Sequence, residues 1–441
     1  MVMLLLQVLL FPLLLLLHPL NLFFRLIVSF VCIAFFTPPI VVFSLVICFY
    51  YLNLSILSLF SSKEFFSYSF ILLFFSCFYP MISVIGAGPA GSFASFNLAK
   101  QGFRVSLFEK NKRVGFPVQC TGLVTSSINR LVKLDSDIII NKVKKVRVFS
   151  DNKELFLKFK KPNFVLDRAG FDRFLADLAQ SSGVRLFLNH RFLYNKSNRI
   201  VTSKGSFSFD FLVGADGPLS AVAKSNGLFT DRRFLFGLQA RARLKNDNVV
   251  EFFPGVASLA WVVPEDNNVV RIGLLAESNL RHLFYDFIKS RSVKKKNILG
   301  FQAGVVPVYD PKLKAQKSNV FLVGDAAAQV KASTGGGIVQ ALTAARALSV
   351  SFANNLSYEK EWRKCLAWDL RLHLFLRRVL DRFRPGDWDL LLSLLNKRSC
   401  KSVLGSVDRD FPSMLLFRLL FHEPRLVYFA RFLLPFQKKT F

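Results

Sequence analysis

Cysteine is scarce in this 441-residue chain: there are six, at positions 32, 48, 77, 120, 365 and 400, and none forms a C-x-x-C pair. A small disulfide scaffold would be shorter and richer in cysteine. A cysteine-ligated metal site has no matching spacing, so no metal is expected. Acidic residues are also few, 29 against 59 Lys and Arg, giving a formal net charge of +30. Charge of either sign is nearly missing from residues 1–80, which hold only Arg25, Lys63 and Glu64. Residues 81–441 therefore carry 57 basic and 28 acidic side chains. Apolar runs load one end and do not recur along the chain, which argues against a polytopic transporter. No internal repeat and no nucleic-acid motif is visible, and the only basic block is Lys294-Lys295-Lys296. Nucleic acid is therefore not expected; a basic proteome is a simpler explanation of the charge, and anionic lipid a simpler partner. What is abundant is apolar: 52% of residues are hydrophobic and 50 are Phe, too many for a disordered chain.

Residues 1–80 form four nearly uncharged stretches, 3–17, 26–36, 40–59 and 65–79, interrupted by Pro12, Pro19, Pro38 and Pro39. Only 40–59 reaches the roughly 20 residues that span a bilayer. Two readings stay open. One is a membrane anchor of two to four helices; the other is a mis-called start, with the native protein opening at Met81. A secretory signal fits poorly, because a charged first region and a small-residue cleavage site are missing.

From Met81 the pattern changes. Ile82-Ser83-Val84-Ile85 is a short β-branched strand, and Gly86-Ala87-Gly88-Pro89-Ala90-Gly91 follows it as G-x-G-x-x-G. A helix is predicted over 90–101, closed by Gly102, then a second strand over 104–108 that ends in Glu109. Strand, glycine turn, helix, strand and acid come in the order a dinucleotide site requires. Gly86 makes the turn, and Gly88 lets a pyrophosphate approach the backbone. Ala90 and Gly91 open the helix, where Gly91 allows close packing, and the helix start faces the phosphates. Glu109 follows Gly91 at close to the spacing of the motif's acidic residue, in position for ribose hydroxyls.

Two later strands run into turns: Phe211-Leu212-Val213-Gly214-Ala215-Asp216-Gly217 and Val320-Phe321-Leu322-Val323-Gly324-Asp325-Ala326-Ala327. The second leads to Ser333-Thr334-Gly335-Gly336-Gly337-Ile338 and a helical run over 339–351. The trio GAGPAGS, GADG and GDAAAQVKASTGGGI resembles the flavoprotein superfamily that includes p-hydroxybenzoate hydroxylase, and within it the geranylgeranyl reductase family. The resemblance covers most of 81–350. It implies that Asp325 holds a ribityl hydroxyl of FAD. It also implies that the helix starting near Gly336, Gly337 and Ile338 points at the flavin and pyrophosphate, and that Asp216 and Gly217 close the nucleotide side.

The segment Phe116-Pro117-Val118-Gln119-Cys120-Thr121-Gly122 is similar to the reductases' Pro-x-x-Cys loop. That places Cys120 against the flavin as a pocket wall, a proton donor or half of a redox pair. An isolated cysteine can equally be a small buried apolar residue. Val165-Leu166-Asp167-Arg168-Ala169-Gly170-Phe171-Asp172 looks like their Arg-x-x-Phe-Asp segment and implies Arg168 near FAD. Trp261, Pro264 and Gly273 match the family's substrate-pocket signature, whereas Leu259, Val263 and Leu275 depart from it. An apolar wall suits an isoprenoid chain, bound through buried area at roughly 25 cal/mol per Å².

The expected fold class is α/β. It comprises a Rossmann-like, three-layer FAD-binding domain at 81–145, 163–233 and 315–350, with an inserted antiparallel substrate sheet at 146–162 and 234–314. A helical region at 351–441 and the apolar segment 1–80 complete the chain. A hairpin is predicted over 146–159 around Asp151-Asn152, and Trp362, Leu366, Leu370 and Leu376 give the helical period of the C-terminal region. Residues 415–420 and 428–436 mix apolar runs with Arg418, Arg425, Arg431, Lys438 and Lys439, which suits an anionic membrane surface; a solvated basic face over a packed helix is the other reading.

The resemblance implies reduction of geranylgeranyl C=C bonds, as in archaeal-type ether phospholipid synthesis, at the cytoplasmic face of a membrane. Integral insertion is expected only if residues 1–80 are genuine. No second G-x-G-x-x-G unit is present, so NAD(P)H or a ferredoxin would dock transiently or act through a carrier. A flavin monooxygenase of the same fold, and a membrane-associated flavin-binding protein without turnover, remain as alternatives. A quinone-linked dehydrogenase fits less well, lacking a cysteine cluster for iron–sulfur ligation.

Overall fold

The structure is a computed structural model that describes residues 80–407 and 409–433. The expectations for residues 1–79, anchor or mis-called start, lie outside the described residues, as do Lys438 and Lys439.

The strand Met81–Ile85 sits at the centre of a six-stranded sheet. Arg104–Phe108 and Arg185–Phe187 lie in parallel on one side of it, Phe211–Gly214 and Val320–Leu322 on the other. The short strand Gln316–Lys317 closes the edge antiparallel. Ile82, Val84, Leu107, Leu212, Val213 and Leu322 are fully buried, as expected for a parallel sheet covered on both faces. The helix Pro89–Ala99 packs against the helices Arg168–Ser181 and Ile338–Ala353. A three-stranded meander, Phe192–Lys196, Arg199–Thr202 and Gly205–Ser208, leaves the sheet at its edge.

The second sheet has eight strands. Their order is Ile298–Pro307, Phe234–Arg243, Val269–Ala276, Leu259–Pro264, Val249–Phe253, Ile139–Phe149, Glu154–Leu166 and Leu123–Val124. Its pairs are antiparallel except Val249–Phe253 with Ile139–Phe149, which run in parallel. The hairpin turn falls at 150–153, as predicted, where Ser150 N donates to Lys153 O at 2.9 Å. However, its strands reach out to 139 and 166, beyond the 146 and 159 read from sequence. Register shifts near Ile139 and Val143 break the alternation there, which hides those strand ends in the sequence.

One face of this sheet, with Ala240, Val262, Ile272 and Leu274, is covered by Phe284, Phe287 and Ile288 of the helix Leu280–Ser290. The other face joins the core of the first sheet through Trp261, Val263 and Leu275. The C-terminal region is helical, with long helices at Tyr358–Leu380 and Pro412–His422. Trp362, Leu366 and Leu370 are buried as predicted, and Leu374, one further step of four, takes the place expected for Leu376. Among the described residues, no helix is long and apolar enough to cross a membrane.

Candidate functional site

The glycine turn forms because two of its glycines have no room for a side chain. Gly86 has φ +101°, and a Cβ there would lie 2.4 Å from Ala215 O, just past the neighbouring strand. A Cβ on Gly91 would lie 1.9 Å from Gly86 O. At Gly88 a Cβ would meet nothing within 4 Å, so the backbone there borders open space. Glu109 is buried and fastens the turn, its Oε2 accepting from Ala87 N and its Oε1 from Asn111 N, both at 2.9 Å. A carboxylate has further lone pairs, so these bonds leave it able to accept a hydroxyl as well.

The third glycine segment lies against the first. Gly324 has φ +69°, and its Cβ position is 2.9 Å from Ala90 Cβ, which explains a small residue at 90. Burial pushes the Asp325 carboxyl up to about 6, against the opposing pull of Arg168. Gly337 caps the helix Ile338–Ala353, which has no side-chain cap on its first N–H groups. Asp325 Oδ1 is 3.2 Å from the Cβ position of Gly337, and Lys331 Cε is 2.9 Å from that of Gly336. A half-buried carboxyl and uncapped helix N–H groups thus lie close together.

Arg168 pairs with Asp172 at 2.8 Å, and its Nε has no partner. Burial would lower its pKa, yet Asp172 and then Cys120 hold it above the ordinary value. Cys120 Sγ accepts from Gly122 N at 3.3 Å. Asp216 fastens its own turn: its carboxylate accepts from Ser220 Oγ at 2.6 Å and from Ala221 N at 2.7 Å, at the start of the short helix Ala221–Ser225. Gly217, φ +85°, stays open on its Cβ side.

On the sheet, Trp261 and Gly273 are register partners, with Gln239 beside Gly273 and Gln302 beside Gln239. These four residues form one row on the face toward the first sheet. Pro264 does not join them. An odd number of steps along a strand reverses the side, so Pro264 lies on the opposite face from Trp261, and its carbonyl accepts from Asn141 Nδ2 at 3.0 Å. It belongs to the strand end, not to the wall formed by Trp261.

Gln239 is a residue that sequence reasoning missed. Its Oε1 accepts from Trp261 Nε1 at 2.9 Å and Thr121 Oγ1 at 2.8 Å, while its Nε2 donates to Gln302 at 2.6 Å. The signal was a glutamine in the inward phase of an apolar strand. Arg271, also missed, is buried, pairs with Glu265 at 2.8 Å and donates to Thr121 O at 2.5 Å, holding the 116–122 loop on the sheet. Lys331 pairs with the buried Asp410, which also accepts from Thr125 and Ser127. Ser333 lies 2.6 Å from His373 Nδ1, so the C-terminal region fastens the glycine-rich loop. Among the described residues no group of three or more His, Cys, Asp or Glu could hold a metal ion.

Residues 84–123 match the family described as NAD(P)-binding Rossmann-like domain. The chain is 27% identical over 380 residues to the digeranylgeranylglycerophospholipid reductase of Methanothrix thermoacetophila, covering 76% of this chain and 97% of that protein. A crystal structure of a geranylgeranyl bacteriochlorophyll reductase-like protein from Thermoplasma acidophilum shares the fold. Its TM-score is 0.70, at 21% identity over 81% of this chain and 99% of that one. A flavin-dependent brominase has the same fold at a TM-score of 0.54 and 15% identity, over 79% of this chain and 100% of that one.

Proposed function

By sequence and by fold the chain is a relative of the geranylgeranyl reductases, and from that premise we propose that it is an FAD-dependent reductase. It saturates C=C bonds in the geranylgeranyl chains of an archaeal-type ether phospholipid. The observation that carries this reading is one juxtaposition. The open backbone at Gly88 and the half-buried Asp325 carboxyl follow the C-terminal ends of two parallel strands, and Asp325 Oδ1 lies beside Gly337 at the uncapped start of the Ile338–Ala353 helix, which packs on the helix after Gly88. These features fit FAD. The Gly86–Gly91 turn and Ala90 would receive the pyrophosphate, and Glu109 a ribose hydroxyl. Asp325 would take a ribityl hydroxyl, whose proton supplies the donor that its burial calls for. Gly336, Gly337 and Ile338 would present N–H groups to the anionic end. Arg168 contributes fixed positive charge, whereas Asp216 acts by shaping the turn at Gly217.

When bound, the flavin supplies hydride to an alkene carbon. The residues of this chain supply the surroundings. Trp261 (held by Gln239), Gly273 and Leu275 would form the wall along which an apolar chain lies, and burying it excludes water from the reacting carbons. Cys120, on the loop pinned by Arg271, is the candidate proton donor. NAD(P)H or a ferredoxin would deliver electrons at the surface, and the substrate would be taken from a membrane.

The test is to purify the protein, look for flavin absorbance, reduce it, and incubate it with unsaturated and saturated ether lipids. A mass gain of two hydrogens per reduced bond, seen only with the unsaturated lipid, is the expected outcome. Cys120→Ser should slow that gain while keeping the flavin. A protein that binds no FAD would sink the reading, and oxygen consumption with lipid hydroxylation would favour a monooxygenase.

A further inference from the structure

The helix Pro412–His422 buries Pro412 and Leu419 and leaves Met414, Phe417, Arg418, Phe421 and His422 outside. Those positions are spaced 3, 4, 7 and 8 from the first, one face of an α-helix. Phe417 and Phe421 are 70% and 77% exposed, and side by side they make a patch where a lone surface aromatic would call for no explanation. The neighbouring helix Tyr358–Leu380 continues this surface. Its Asp369 accepts from Ser413 N at 3.1 Å, and the adjacent Trp368 is 70% exposed. Trp261, Trp362 and Trp388 are buried, so Trp368 is the one exposed Trp of four.

The exposed charges that flank this face are mainly basic. Lys364, Arg378 and Arg418 are exposed. Of the nearby carboxylates, Asp381 is held by Arg377, Asp387 by Arg431, and Glu423 by Lys397 and Arg425, while Glu361 and Asp369 on the Tyr358–Leu380 helix are half-buried. A second copy of the chain would meet like charge here. An apolar helix face with cations at its flanks suits insertion between anionic headgroups, with a Trp at the boundary.

We propose that the outward face of Pro412–His422, together with Trp368, docks on the surface of an anionic lipid bilayer. This rests on the reading that the substrate is a membrane lipid, and adds which surface meets the membrane.

The test uses the full chain and Trp fluorescence with vesicles of phosphatidylcholine and phosphatidylglycerol, mixed two to one and containing brominated acyl chains as quencher. Quenching is expected in the wild type and absent in Trp368→Phe, whose remaining Trp residues are buried. Phe417→Ser/Phe421→Ser should lower the apparent affinity about tenfold or more, as should vesicles of phosphatidylcholine alone. Flavin absorbance checks that each variant is folded, and Arg418→Glu provides an independent perturbation of charge. Absence of Trp368 quenching overturns the proposal, including when the chain binds vesicles through residues 1–79. A dimer in the wild type that the Phe417/Phe421 variant splits would assign the face to a second copy instead. Turnover of a detergent-dispersed isoprenoid lipid is measured in parallel. Its failure with quenching intact would overturn the enzymatic reading and leave the docking face standing.

Discussion

Gly88 and Gly91 are equal members of one motif in the sequence, and the structure gives them opposite reasons. Gly91 is required by the protein itself, because its Cβ would strike Gly86 O. Gly88 is not, since it has φ −74° and open space around its Cβ. Gly91→Ala should therefore cost ~3 kcal/mol or more of stability. Gly88→Ala should change stability by less than about 1 kcal/mol yet weaken FAD retention. Denaturant unfolding together with flavin content after gel filtration separates the two, and equal loss of stability would remove the distinction. The motif residues were legible because their spacing is fixed by the ligand's shape. Gln239 was not, because its importance comes from two donors, Trp261 and Thr121, brought together by strand register and a loop. Pro264 was misplaced for a related reason. A signature written along the chain does not carry the two-residue alternation that puts Pro264 and Trp261 on opposite sides.

Elements with strong local periods were readable at once: the first strand, the helix after it, and the Trp362–Leu366–Leu370 stripe. Joints between elements were not. The fastening of the loop 331–337 uses Asp410, which is 79 positions away from Lys331 and has no local pattern to betray it. Burial alone would raise the Asp410 carboxyl, but Lys331 and the Ser127 and Thr125 hydroxyls hold it well below the usual carboxylate range. Nearby, His373 is pushed down to about 3, first by burial and then by Lys331. Both shifts make the folded state bind fewer protons than the unfolded chain. Stability should thus decline as pH falls, first below about 6.5 through His373 and then below about 4 through Asp410. Asp410→Ala leaves Lys331 unpaired and should cost about 3–5 kcal/mol at neutral pH, and it should make the second decline shallower. Denaturant midpoints measured against pH for both proteins check this, and parallel profiles would contradict it.

On the scale of the whole molecule, both sheets share one core, and the candidate cofactor site draws on residues 86–91, 109, 168 and 325–338. Those parts meet only in the folded chain, so a dinucleotide touching all of them stabilises the native state by mass action. FAD at 100 times its dissociation constant should add about 2.7 kcal/mol. FMN, which lacks the adenosine half, should add much less; a thermal shift series with both flavins measures the difference, and equal shifts would deny the Gly86–Gly91 turn its role. The division into a parallel sheet and an inserted antiparallel one was legible from the order of motifs, whereas the shared core was not, since it depends on how two faces meet. The path of the chain also has a temporal side. The glycine turn is synthesised early, but the central strand Met81–Ile85 must wait for Phe211–Gly214, and the loop 331–337 must wait for Asp410. Domains generally fold as their residues emerge from the ribosome, so this site is completed only once Asp410 has emerged. A nascent chain released before Asp410 would carry every recognisable nucleotide-binding motif and still be unable to fasten its cofactor loop.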